Sequence, residues 1–314
     1  MQQSFSIVIH GGAGAITQKN TSADLQQAYT QGLQQALNAA YAILANNGAA
    51  IQAVKTAVMA LEDNVLFNAG RGAVFTKKGI HELDAAIMNG ATLQAGAVAG
   101  VRNVRNPVEL AEQIMLYSGH VFLSGQGAID FAMKQGIALA HDDYFFSQYR
   151  YDQWIAIRDS EFYQLDHKAD TLVGRDKKLG TVGAVACDMH GNIAAATSTG
   201  GMTNKKYGRI GDSPIIGCGT YANNQTCAIS CTGHGEIFIR AVAAYDVSCL
   251  MEYKGYTLQQ AMDETVKHKL TNLSGDGGMI GVDAKGNTAW AFNTLGMYRA
   301  KRSSNGIYEI AMFT

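Results

Sequence analysis

Apolar positions along this chain fall into two periods. Phe5–His10 is a short run of β-branched and apolar residues that predicts a strand, and it ends in Gly11-Gly12-Ala13-Gly14. Leu25, Tyr29, Leu33, Leu37, Tyr41 and Leu44 then recur every three or four residues. That spacing predicts a helix over Ser22–Asn47, with Gly48 as its stop signal. Ile51, Val54, Val58 and Leu61 predict a second helix, antiparallel to the first across a short turn. Leu83–Met88 and Leu93–Val101 flank Asn89-Gly90 and read as a hairpin. Val108–Leu116 and Ala128–Met133 read as short helices.

The pattern breaks at Asp159–Lys178, where nine of 20 residues are charged against 16% for the whole chain. This stretch reads as an exposed, mobile linker reaching about residues 159–180. The sheet pattern resumes abruptly with strands at Thr181–Cys187 and Ile193–Ser198, joined by Asp188-Met189-His190-Gly191-Asn192. Met279–Val282 and Thr288–Phe292 repeat the design around Asp283-Ala284-Lys285-Gly286-Asn287, where Asp favours turn entry and Gly tolerates positive φ. Two long helices, Glu236–Tyr253 and Leu258–Leu270, are expected between these hairpins. Several strands are apolar on both faces, Val182–Cys187 among them, so they need cover above and below. Two helical layers around two sheets provide it.

Composition narrows the classes. The 314 residues carry 25 basic and 26 acidic side chains, a formal net charge of −1, which gives no electrostatic reason to bind nucleic acid or acidic membranes. A 47% hydrophobic content excludes a disordered chain. At roughly 150 residues per domain the length suits two domains or one large layered one. No stretch reaches the ~18 consecutive apolar residues of a membrane span. The start, Met1-Gln2-Gln3-Ser4-Phe5, lacks a signal-peptide pattern. Five cysteines without a C-x-x-C pair (Cys187, Cys218, Cys227, Cys231, Cys249) read as reduced core thiols, so a cytoplasmic setting is expected.

The candidate chemistry gathers around Gly180-Thr181. One reading is a loop entering a strand. The other is chain cleavage before Thr181, which would give its hydroxyl a base of its own, the freed α-amine. An unperturbed α-amine has a pKa of about 8, so a useful fraction is neutral at pH 7. Downstream, Thr197-Ser198-Thr199-Gly200-Gly201 places three hydroxyls at a strand end. Arg209 and Asp212 stand three residues apart; they read either as a surface ion pair or as a clamp for a zwitterion's carboxylate and ammonium. Thr232-Gly233-His234-Gly235-Glu236 opens a helix and offers backbone N–H groups for an oxyanion. Gly11-Gly12-Ala13-Gly14 after a strand suggests a dinucleotide site, but the G-x-G-x-x-G spacing is not met.

Several of these segments, in order, resemble the plant-type L-asparaginases, or isoaspartyl (β-aspartyl) peptidases, of the N-terminal-nucleophile hydrolase superfamily. They are Ile9–Gly14, Leu66–Gly70, Gly180–Ala186, Ala195–Gly201, Gly208–Pro214 and Thr232–Glu236. The resemblance covers about residues 5–310. It implies an α+β fold, a four-layer αββα sandwich, formed by a single domain 1–314 that autocleaves into segments 1–180 and 181–314. It implies hydrolysis of isoaspartyl dipeptides and L-asparagine with no catalytic cofactor. Gly180-Thr181 is then the cleavage site, Thr181 the nucleophile, Thr199 its orienting threonine, and Thr232 with Gly233 the oxyanion hole. Arg209 would hold the substrate α-carboxylate. Asp212 and the Gly235 carbonyl would hold its α-ammonium, and Asn68 would reach the site.

The same resemblance implies a structural sodium ion on the backbone carbonyls of Leu61, Glu62, Asn64, Phe67, Ala69 and Arg71, and a dimer of cleaved pairs. Three residues depart from the family pattern. His234 stands where several bacterial relatives carry threonine, Leu295 replaces an acidic residue of some members, and Arg71 adds a charge to the ion loop. The neighbouring readings are a glycosylasparaginase-like amidase, which would carry aspartate rather than Gly180 before its nucleophile, and an unprocessed, non-catalytic binding scaffold.

Overall fold

The alternation of the first strand is what sets it at the centre of the molecule. In the computed structural model, which describes residues 4–159 and 180–314, β1 (Ser6–Gly14) is buried along its whole length. Ile7 and Ile9 enter one apolar layer and Val8 enters another. The charged stretch read as a linker falls almost wholly on 160–179, outside the described residues.

The first half continues with α1 (Ala23–Ala45), α2 (Ala50–Glu62), β2 (Leu83–Asn89), β3 (Ala95–Val101), α3 (Pro107–Tyr117), β4 (Phe122–Ser124), α4 (Gly125–Lys134), α5 (Asp142–Phe145) and α6 (Gln148–Ile157). Ser22 caps α1 by accepting from the Leu25 N–H at 3.3 Å. The α1 stripe of Tyr29, Leu33, Leu37 and Leu44 is buried, each aliphatic side chain worth about 2 kcal/mol of burial. The second half holds β5 (Val182–Cys187), β6 (Ile193–Thr199), β7 (Thr220–Ala222), β8 (Cys227–Gly233), α7 (Gly235–Ala241), α8 (Ala243–Lys254), α9 (Leu258–Asp263), β9 (Gly277–Asp283), β10 (Thr288–Phe292), β11 (Gly296–Ser303) and β12 (Tyr308–Phe313).

The described residues form two sheets. The larger has the order β12-β11-β1-β5-β6-β2-β3-β4 and the smaller β10-β9-β8-β7. Pairing is antiparallel except between β3 and β4. Val8, Val185, Ala195, Ala228, Ile280 and Val282 fill the space between the sheets. The α1–α3 layer covers the outer face of the large sheet, and α8 and α9 pack on the small one. This is the αββα sandwich expected from the sequence, and both segments flanking Gly180-Thr181 contribute to the same sheet.

Three features differ from the sequence reading. The helix expected over Glu236–Tyr253 breaks at Val242, whose φ of 48° is left-handed. The Ala244 and Tyr245 N–H groups donate to the Cys218 and Gly217 carbonyls, at 3.2 and 2.8 Å, and so cannot continue α7. The helix expected over Leu258–Leu270 turns into a π-helical stretch at Glu264–Leu270. Strands β4, β7, β8, β11 and β12 and helices α5 and α6 were not legible; β8 and β11 show why. The first reads Cys-Ala-Ile-Ser-Cys-Thr-Gly and the second carries Arg299, Lys301 and Arg302, so neither has a clean apolar alternation. Pairing with β9 and β1 makes them strands.

The register positions the site. Val182 pairs with Ser198, which sets Thr181 beside Thr199 at one end of the large sheet. Strand β8 ends at Thr232 and Gly233 on the facing sheet.

Candidate active site

Thr181 sits at the open end of β5, 6% exposed, at the wall of a cavity lined by Gly180, Thr181, Thr199, Gly201, Met202, Arg209, Gly211, Asp212, Ser213 and Gly233. The structure therefore gathers residues that are far apart in sequence around the Gly180-Thr181 bond. The Thr181 hydroxyl lies 3.3 Å from Ser213 Oγ. Thr232 is fully buried; its Oγ1 has no hydrogen-bond partner among the described residues, and a Cβ on Gly180 would approach it to 3.5 Å. A hydroxyl kept dry and unpaired this close to Gly180 is suited to donate to developing negative charge.

The turn after β6 is built to hold Thr199. Gly201 takes φ +80°, and its N–H donates to Thr199 Oγ1 at 3.0 Å. Asn68 pins this turn from behind. Its Nδ2 donates to the Gly201 carbonyl at 2.7 Å, its Oδ1 accepts from the Val74 N–H at 3.0 Å, and its carbonyl accepts from the Gly200 N–H at 3.1 Å. Asn68 thus acts on the site through the turn and does not line the cavity.

Arg209 has a partner that the sequence reading did not name. Arg209 donates bidentately to Glu236, Nε to Oε1 at 2.8 Å and Nη2 to Oε2 at 2.9 Å. Burial works to raise the Glu236 carboxyl, but the hydrogen bonds and charge of Arg209, with smaller help from the Glu236 backbone N–H and His234, together outweigh it and hold the group below its ordinary range. His234 Nε2 lies 3.5 Å from the same carboxylate. Asp212, by contrast, is fully buried and its Oδ2 has no hydrogen-bond partner among the described residues. Burial pushes its carboxyl up to about 7, partly offset by the nearby Arg209 charge. A dry carboxyl beside the cavity with an unmet oxygen is electrostatically ready for a cation. Gly235 permits this crowding, since a Cβ there would come within 2.7 Å of Arg209 Nη2 and 3.0 Å of Asp212 Oδ1.

A family model described as asparaginase matches residues 3–312. The chain belongs to the asparaginase family. That places it among the amidohydrolases of the N-terminal-nucleophile superfamily, in keeping with the αββα sandwich. It is 51% identical over 294 residues to an isoaspartyl peptidase of Salmonella typhimurium, covering 94% of each chain. An isoaspartyl peptidase of Escherichia coli is 50% identical, covering 94% of this chain and 91% of that one. A human isoaspartyl peptidase/L-asparaginase is 38% identical, with 94% and 92% covered.

The loop after α2 contributes no residue to the cavity lining. It winds tightly around glycines: a Cβ on Gly70, at φ +50°, would lie 2.6 Å from the Glu62 carbonyl, and one on Gly72 would overlap the Phe67 carbonyl. The Asn64, Phe67 and Ala69 carbonyls each accept one backbone N–H and keep a second lone pair. Arg71 does not intrude; its guanidinium lies 5.6 Å from the centroid of the Tyr144 ring. Crowded neutral carbonyls of this kind fit a hard monovalent cation. No cluster of three or more His, Cys, Asp or Glu that could hold a metal occurs among the described residues. Leu295, the other departure noted in the sequence, is 56% exposed.

Sequence reasoning missed Ser213, although it lies inside the Gly208–Pro214 segment, and it missed the partner of Arg209. Glu236 was visible as an acidic residue opening a helix, but helix N-termini commonly carry one.

Proposed function

We propose that this asparaginase is a self-cleaving threonine amidohydrolase that releases L-aspartate from isoaspartyl dipeptides and from L-asparagine. One observation carries the reading: the Gly180-Thr181 bond lies in the same cavity as Thr199, Arg209, Asp212 and Gly233. The names of the relatives, isoaspartyl peptidase and L-asparaginase, support the substrate class.

In maturation, Thr181 Oγ1 attacks the Gly180 carbonyl. The peptide C–N bond breaks as a C–O ester forms, and the amide nitrogen becomes the Thr181 α-amine. Water then hydrolyses the ester, leaving a Gly180 carboxylate and a free threonine hydroxyl. In turnover the neutral α-amine takes the hydroxyl proton as Oγ1 attacks the substrate's side-chain amide carbonyl. Thr232 and the Gly233 backbone stabilise the oxyanion, a contribution commonly of about 3–4 kcal/mol per donor. The amine or ammonia leaves with the proton, and water releases aspartate from the acyl-enzyme. Arg209 holds the substrate α-carboxylate, for which Glu236 gives way, and Asp212 with the Gly235 carbonyl holds the α-ammonium.

In the same reading the carbonyls of Leu61, Glu62, Asn64, Phe67, Ala69 and Arg71 hold a structural sodium ion. When bound, it supplies charge that stiffens the loop ending at Asn68 and takes no part in the chemistry. The mature enzyme is read as a dimer of cleaved pairs working in the cytoplasm; the five free cysteines suit a reducing setting.

A denaturing gel with intact mass tests the central claim. Incubated wild-type protein should yield fragments 1–180 and 181–314, and Thr181→Ala should yield one uncleaved, inactive chain. A cleaved or active Thr181→Ala variant would refute the reading. Sedimentation of the processed enzyme should show two such pairs per particle.

A further inference from the structure

Behind Thr181 runs a chain of buried polar side chains that the proposed mechanism does not use. His10 on β1 is fully buried, with Nε2 2.9 Å from Ser230 Oγ on β8. Ser230 Oγ lies 2.7 Å from Thr197 Oγ1 on β6. Thr220 on β7 donates to Thr197 Oγ1 at 2.6 Å, and the same hydroxyl lies 3.0 Å from the Ser213 carbonyl. Ser213 Oγ in turn faces Thr181 Oγ1 at 3.3 Å. His10, Thr197, Thr220 and Ser230 are all 0% exposed. The chain crosses between the two sheets, through a layer otherwise filled by Val8, Val185 and Ile280.

Polar groups in such a layer are costly unless they pair, and these pair mainly with one another. The crossing also constrains the backbone. A Cβ on Gly183 would overlap both Ser230 Oγ and His10 Nε2, so β5 must carry glycine where the imidazole and the hydroxyl meet. Burial pushes the His10 imidazole down to about 3, and its Nδ1 has no hydrogen-bond partner among the described residues. The ring is therefore neutral, and on β1 it stands opposite Gly183, two residues after Thr181 on β5.

We infer that His10 and the Ser230–Thr197–Thr220 hydroxyl chain are positioning residues for Thr181, anchored at the imidazole and reaching the Thr181 hydroxyl through Ser213. His10, Ser230, Thr197 and Thr220 are not among the residues that line the cavity; Ser213, which is, links them to Thr181. The chain sets where the hydroxyl points, first at the Gly180 carbonyl and then at the substrate carbonyl. An attacking atom displaced by about 1 Å loses up to ~100-fold in rate. Binding rests on the Arg209 and Asp212 side chains, to which these hydroxyls make no hydrogen bond among the described residues, so KM changes less than kcat.

The inference rests on Thr181 being the nucleophile, and its test separates the two. Thr197→Val keeps the shape of the side chain and removes the hydroxyl; Thr197→Ser keeps the hydroxyl. Thr197→Val is expected to slow both processing and kcat at least ~10-fold with KM within ~2-fold. Thr197→Ser should stay close to wild type, and Ser230→Ala should repeat the loss. Nitrogen NMR of labelled His10 should show one neutral ring that does not titrate between about pH 5 and pH 9. Thr197→Val processing and turning over like wild type, Thr197→Ser losing as much as Thr197→Val, or His10 titrating in that range would each overturn the inference. If Thr181→Ala were still cleaved, it is the nucleophile reading that would fall; if Thr181→Ala is inert and Thr197→Val is normal, the inference alone falls.

Discussion

Replacing Glu236 with glutamine tests whether Arg209 is a carboxylate clamp held in check. The two contacts of 2.8 and 2.9 Å make a bidentate pair in which Arg209 is 19% and Glu236 44% exposed at the side chain. Pairs this open to water are worth about 0.2–1 kcal/mol, and bidentate geometry places this one near the top of the range. A substrate carboxylate must displace Glu236 before it can occupy the same guanidinium. Glutamine keeps the shape and loses the charge, so about 1 kcal/mol of competition disappears, equivalent to roughly a 5-fold lower KM. Turnover should change little, because the pair does not touch the Gly180-Thr181 bond.

Some stability is lost as well, since Glu236 lies in the first turn of α7, where a negative charge contributes about 0.3–1 kcal/mol. The assay is steady-state hydrolysis of an isoaspartyl dipeptide at low and moderate salt. The wild-type disadvantage should shrink as salt screens the pair. An unchanged or raised KM in Glu236→Gln would refute the reasoning, because it would mean that Arg209 does not receive the substrate carboxylate.

Three further outcomes follow from other contacts. The Asp212 carboxyl, raised to about 7 by burial, is protonated and neutral below that pH and ionised above it. Substrate ammonium binding therefore strengthens as pH rises to about 7 and then levels, with KM at pH 5.5 ~30-fold above its plateau. A KM that stays flat across this range in wild type would contradict the assignment, and Asp212→Asn should remove the dependence. Asn68→Ala strands the buried Val74 N–H and Gly201 carbonyl, at ~1–3 kcal/mol each. Urea unfolding of the uncleaved Thr181→Ala background should show a combined loss above about 2 kcal/mol, and a neutral result would mean the turn is held by other contacts. Val242, a β-branched residue at φ 48° and 43% exposed, is strained where it stands. Val242→Asn should raise stability by ~1 kcal/mol in the same assay, and a loss would show that its side-chain packing outweighs the backbone strain.

The sequence by itself determined what depends on neighbours along the chain. The unbroken apolar runs Phe5–Ile9 and Val182–Cys187 marked strands, the second of them buried on both faces. The three-to-four-residue period from Leu25 to Leu44 marked α1. Gly180-Thr181, Thr199, Arg209, Asp212 and Gly233 were singled out by short segments that resemble those of a known family, and the structure brings them to one cavity. What the sequence left hidden depends on contacts between distant segments. Strand β8 is a strand because β9 lies beside it, and the helix after Gly235 breaks at Val242 because two of its N–H groups are drawn to Gly217 and Cys218. The partner of Arg209 stands 27 positions away, and Ser230 is 220 positions from His10. No local period records such pairings. They arise when two sheets close on one another and every polar group caught between them must find a partner without water.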